Sequence, residues 1–208
     1  MDTDRRSRET LTLPKLLDEA LALIDAEGLE RLSMRRLGAR LGVEAMALYH
    51  HVPNKGALLE LLLERAVFTA SASVDQAEAD WQVWVGGFAS GYRAALLAHP
   101  ALLPLVAVRP VRSAAALERF RAGVLGLVAS GFTPTQALQM LNVVAMFVIG
   151  QALAEAGPMP VREEASSPAS AAMATNLLGE ADTPARRHQD IFEFGITALL
   201  QGFAALRS

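Results

Sequence analysis

Apolar residues in this chain recur every three or four positions and never alternate with polar ones for long, a periodicity that restricts the fold to packed helices. Over residues 13–26 the apolar positions are Leu13, Leu16, Leu17, Ala20, Leu21 and Ile24, one face of a helix. Thr12 stands where a cap is needed, Pro14 is tolerated in a first turn, and Gly28 ends the segment. Composition agrees, with 52% of residues hydrophobic, 20% charged and only 6% aromatic, a globular balance poor in strand formers. We therefore expect an all-α chain whose 208 residues make one large domain, or a small one joined to a medium one.

Ser33 is the next capping residue. It opens a short helix with Leu37 and Leu41 inward and Arg35, Arg36 and Arg40 on its other sides, and Gly42 then supplies the positive φ of a sharp turn. A third helix is expected over about 44–51, stopped by Val52-Pro53. Asn54 caps a fourth, with a buried stripe of Leu58, Leu59, Leu62, Ala66 and Val67. Three short helices with a tight glycine turn before the last have the layout of a helix-turn-helix, whose final helix enters the major groove of DNA. At about 1.5 Å per residue that helix is roughly 10 Å long, which fits across the groove. The whole chain is −3, yet over 31–55 four arginines and one lysine face the single acid Glu44, before His50 and His51 are counted. Such a patch faces phosphates. A solvated helix face would give the same count, so charge alone does not decide between the two.

Beyond Ser71 longer and more apolar helices are expected over 81–98, 111–130, 135–156 and 185–206. His99-Pro100, Pro104, Pro110 and Gly131-Phe132-Thr133-Pro134 break them. The Ala-, Ser- and Pro-rich segment 157–184 reads as a connection with one short helical piece near 169–178. Residues 122–154 carry no charge, but the break at Gly131 and the polar Gln136, Gln139, Asn142 and Gln151 make them two core helices rather than a membrane span. Without cysteine there are no disulfides, thiolate nucleophiles or sulfur-built zinc sites. The first ten residues lack the apolar stretch of a signal peptide, so a cytoplasmic location is expected. His99, His188 and the acids near Glu163 show no spacing typical of a nucleophile with its base, a metal site or a phosphate loop. Neither an enzyme, a cofactor nor a bound metal is expected.

The run from Leu32 to Val43, then Ala47-Leu48-Tyr49-His50-His51-Val52 and Asn54-Lys55, resembles the DNA-binding domain of the tetracycline-repressor (TetR) family, without a gap over about 13–67. His99-Pro100-Ala101-Leu102, Ser130-Gly131-Phe132-Thr133-Pro134 and Phe192-Glu193-Phe194-Gly195 are similar to the C-terminal regulatory domain of its founding branch. The resemblance implies a DNA-binding domain over 1–72, including the fourth helix, and a ligand-binding and dimerisation domain over 73–208. By position, Arg35 matches an arginine that reaches a base edge, for which guanine is the natural bidentate partner. Ala45, Met46 and Ala47 match the groove-facing start of the reading helix, where small apolar groups contact thymine methyls. Tyr49 and His51 match positions braced against phosphates, Leu48 should point into the core, and Lys55 matches a phosphate-binding lysine. His50 stands where the founding repressor carries tryptophan, so operator preference should differ.

In this family the C-terminal helices enclose a small-molecule pocket and pair with a second subunit. The helices at 135–156 and 185–206 are apolar around most of their circumference, as a two-fold, four-helix interface requires. Phe88, Tyr92, Arg109, Phe120, Leu141 and Ala145 correspond to pocket-side positions, which implies a mostly apolar effector with one acidic or carbonyl group near Arg109. Core packing is the competing explanation for each. The family's magnesium-ligating histidine and partnering glutamate fall at about Val106 and Ala154, so a magnesium–tetracycline complex is not expected. The resemblance thus implies a homodimeric repressor that leaves a palindromic operator when it binds effector, the signal passing through 100–110 to the fourth helix. A ligand-responsive activator, an enzyme using the apolar cavity, and an interaction module that no longer binds DNA are the alternatives.

Overall fold

The computed structural model describes residues 11–68, 80–108, 114–157 and 184–207, and every regular element among them is helical. The chain starts α1 (Leu13–Glu27) at Thr12, whose hydroxyl accepts from the Lys15 N–H at 3.4 Å. Gly28 ends it, and a 3-10 turn over Leu29–Arg31 leads to α2 (Met34–Leu41), capped by Ser33 through the Arg36 N–H at 3.2 Å. Gly42, at φ 67°, makes the left-handed turn into α3 (Ala45–Leu48). Asn54 accepts from the Ala57 N–H at 2.9 Å and opens α4 (Lys55–Phe68).

The reading helix is shorter than its sequence predicts. Regular α-helical bonding ends at Leu48, and the N–H groups of Tyr49 and His51 turn to the carbonyls of Met46 and Leu48, three residues back. Pro53 cannot continue a helix, so the last turn tightens, and the Val52 N–H closes it on Leu48 at 3.0 Å. Leu16, Leu23 and Ile24 of α1 with Leu37, Leu48, Val52, Leu58 and Leu62 then form a fully buried core for the first four helices. Leu63 joins the expected stripe of α4, while the side chain of Val67 lies outside the described ones.

The second group comprises α5 (Trp81–Ala98), α6 (Leu103–Val108), α7 (Ala114–Ala129), α8 (Pro134–Ala156) and α9 (Pro184–Ala204). A 3-10 turn at Pro100–Leu102 joins α5 to α6. Phe132 sits in the break between α7 and α8, edge-on to Trp81 with ring centroids 5.0 Å apart. Thr133 and Gln136 cap α8 reciprocally, the Gln136 N–H donating to the hydroxyl at 3.2 Å and the Thr133 N–H to the amide oxygen at 2.8 Å. One face of α8, with Ala137, Met140, Leu141, Val144, Val148 and Ala152, is buried. This helix is long and apolar enough to cross a membrane, although a third of its most apolar window is already inside the fold.

Arg93 ties three of these helices together. Its Nε and Nη2 donate to Glu155 of α8 at 3.0 and 2.7 Å, its Nη1 donates to Gln189 of α9, and its guanidinium lies 4.8 Å from the centre of the Phe192 ring. The proposed boundary at 72/73, Arg109 and the helical piece near 169–178 lie outside the described residues.

Candidate functional site

The α2–α3 turn positions the residues expected to face DNA. Gly38 is buried, and a Cβ there would come within 2.9 Å of the Val43 carbonyl oxygen and 3.2 Å of the Ala45 N, so only glycine lets α3 dock this closely on α2. Leu48 is fully buried, as its sequence position implies. With α3 anchored on that side, Met46 projects 71% exposed and Tyr49 and His50 are exposed beside it. Ala45, Ala47 and His51 are half-buried, so Met46 is the outermost of the expected groove-facing residues.

The basic window divides once folded. Arg36 pairs with Glu27 and Arg40 with Glu19, both carboxylates of α1, and Arg40 also lies 3.9 Å from Glu27. These two cations hold α2 against α1. Among the described residues Arg31 and Arg35 make no ion pair, and both are exposed. Lys55 Nζ donates to the Leu32 carbonyl at 2.6 Å, which ties the start of α4 to the turn before α2. An ammonium carries three donors, so this bond leaves capacity for a phosphate.

In the second group, Trp84, Phe88 and Tyr92 follow one another at i, i+4 and i+8 along α5 and stack face to face. Their centroids are 6.1 and 5.7 Å apart, with interplanar angles of 17° and 28°. Burial raises the Tyr92 phenol to about 12. The α7 helix meets this ladder at Gly123, where a Cβ would lie 2.9 Å from the Trp84 ring and 3.3 Å from Leu141. Phe88, Tyr92 and Leu141 are thus drawn towards one aromatic centre. Ala145 packs partly buried on the same core, and Phe120 is 40% exposed on α7. Trp84 escaped the sequence reading, although its four-residue spacing to Phe88 was available as a signal. Val106 is buried on α6 and Ala154 exposed on α8, and neither side chain carries an atom that can bind a metal.

An open cleft of about 710 Å³ lies between α1, α4 and α5, and none of the expected ligand residues lines it. Across it His99, at the end of α5, bonds through Nδ1 to Asp25 of α1 at 2.8 Å. Neither partner was paired with the other by sequence reading, because 74 positions separate them.

Residues 16–62 match the model of bacterial regulatory proteins of the tetR family, and residues 75–207 match that of the tetracyclin repressor-like C-terminal domain. The HTH-type transcriptional repressor DrrR1 of Streptomyces coeruleorubidus is 33% identical over 73% of this chain, an alignment spanning 57% of that protein. The tetracycline repressor protein class A from transposon 1721 of Escherichia coli is 32% identical over 90% of this chain and 88% of its own length. The crystal structure of TetR from Acinetobacter baumannii AYE is 30% identical, with a TM-score of 0.74 over 96% of this chain and 100% of that one. A variant of that repressor has been solved in complex with minocycline.

Proposed function

Because the chain belongs to the TetR family of bacterial regulators and is a DNA-binding, ligand-responsive transcriptional regulator, we propose that it acts in the cytoplasm as a homodimeric repressor. A small, largely apolar effector releases it from a palindromic operator. The DNA-binding unit is 1–72, and the ligand-binding and dimerisation unit is 73–208. The observation that carries this reading is the α3 surface, where Met46 stands in solvent on a helix whose Leu48 is fully buried. A large apolar side chain turned outward, in the same domain as an exposed Arg35 that makes no ion pair among the described residues, suits a groove that offers thymine methyls and guanine acceptors. Tyr49, His50, His51 and Lys55 then brace the backbone on either side.

Dimerisation is supported by Met146 of α8 and Phe194 of α9, 74% and 77% exposed in the single subunit. Leu138 and Val143 of α8 and Ile191 of α9 are further exposed apolar residues of these two helices. Pairing two subunits through α8 and α9 covers these groups and sets two reading helices one DNA turn apart. For the effector, the Trp84–Phe88–Tyr92 ladder favours a molecule with a flat apolar face, with Phe120, Leu141 and Ala145 around it and Arg109 as its polar end. No part of this reading passes through magnesium, since Val106 and Ala154 offer it nothing.

Gel-shift titration against DNA upstream of the chain's own gene tests the proposal. Arg35→Ala should lose about 1–3 kcal/mol and relax preference at one base pair, whereas Lys55→Ala should weaken all sequences alike and lower the salt slope by about one. If the two variants behave alike, the assigned roles are wrong. Because Lys55 also bonds Leu32, its thermal melt is measured in parallel to separate binding from folding.

A further inference from the structure

The two halves of the molecule meet across a cleft that their side chains do not fill. Asp18 and Asp25 of α1 are two helical turns apart and so lie on one face, turned to the cleft. Opposite them the walls contributed by α4 and α5 are largely alanine, at Ala66, Ala94 and Ala98, too short to close the gap. Across this open cleft the short side chains leave α1 and α5 without close packing, so the angle between them depends on contacts at the rims. Polar ties at the rims then matter more than their individual strength suggests. One is Arg65 to Asp18, between neighbouring helices of the DNA-binding half. The other, Asp25 to His99, crosses from that half to α5.

His99 occupies the junction between the pocket helices and α1. Its own N–H caps the last turn of α5 on the Leu96 carbonyl at 3.3 Å, while its carbonyl accepts from Leu102 at 2.9 Å and so starts the turn leading into α6. Leu102, Leu103, Leu105 and Val106 beyond it are buried against the regulatory core. An ionised aspartate only accepts, so the ring nitrogen facing Asp25 is the donor. Main-chain geometry set by the α5–α6 segment is therefore converted, through one side chain, into a position of α1.

We infer that the His99–Asp25 contact is a coupling strut that sets the angle of the DNA-binding half on α5, and through it the separation of the two reading helices. This rests on the regulator reading above, and it adds a route through α1 that does not pass along α4. His99 and Asp25 are positioning residues and touch neither DNA nor effector.

The absence of cysteine permits a direct test with spin labels. Labels at Glu44→Cys and Ser90→Cys, both exposed sites, in chains diluted with unlabelled protein, read the distance between α3 and α5 within one subunit. His99→Ala and Asp25→Ala should each broaden or shift that distribution, and the double variant should do no more than either alone. His99→Asn, whose amide can occupy the place of Nδ1, should restore it. In unlabelled protein the same alanine variants should change operator affinity about fivefold or more, a usual size for coupling between sites. Unchanged distributions in both single variants, or additive changes in the double, overturn the inference. The single label Glu44→Cys reads the separation between subunits. Loss of that signal in the parent protein, with the intrachain response intact, would remove the dimer reading and leave the strut standing.

Discussion

Tyr92 lies 7% exposed in the aromatic ladder, and desolvation raises its phenol from 10.0 to about 12. A folded-state pKa above the unfolded one means that the folded chain holds the proton more tightly. Its stabilising contribution is complete below pH 10 and is lost as pH rises through about 12, a span worth about 2–3 kcal/mol. Urea melts across that window should show stability falling more steeply for the parent than for Tyr92→Phe, and equal slopes would count against the burial. At the same scale Arg36 and Arg40 correct the charge count. The sequence reading makes all four arginines of 31–55 candidates for phosphate, but the partners of these two lie 9 and 21 positions away on α1. A count of charges in a window carries no information about such pairs. Gly42 differs, because a positive φ after a capped, periodic helix is a local requirement and is legible.

Helix limits depend on groups within a few residues of each other, and the caps at Thr12, Ser33 and Asn54 stand where their sequence positions predict. The tightened end of α3 was less visible, since Pro53 marks a stop but does not say how the preceding turn will close. Packing between elements is a separate matter, and Arg93 is its test. Replacing it with alanine leaves Glu155 largely buried without its cation, which should cost about 3 kcal/mol in a denaturant melt. Arg93→Lys should recover only part of this, because a point charge cannot reach Glu155 and Gln189 together while covering Phe192. Full recovery by lysine would show that charge alone matters there.

At the scale of the whole molecule, the proposed dimer turns on the exposed apolar residues of α8 and α9. Phe194→Glu changes a side chain that the isolated subunit leaves in water, so helix content by circular dichroism should hold. Sedimentation should nevertheless give half the parent mass, and operator affinity should fall about a hundredfold or more as two linked half-site contacts become one. A dimer that survives this substitution with full affinity would place the interface elsewhere. The apolar circumference of α8 was evident from its sequence, and the exposure of Met146, Leu138 and Val143 is its structural counterpart.

Most of the helices, their caps, the glycine turn between α2 and α3, and the family motif were legible in the sequence alone, because each depends on bonds and sterics spanning a handful of residues; α6, inside the proline-broken stretch 100–110, was not, and α3 ends earlier than expected. The packing of whole helices, by contrast, settled which arginines of the basic window pair with α1, that Lys55 is tied to Leu32, and that Asp25 meets His99 across an unfilled cleft. Those contacts join positions far apart along the chain, and their existence follows from how whole helices come to lie against one another.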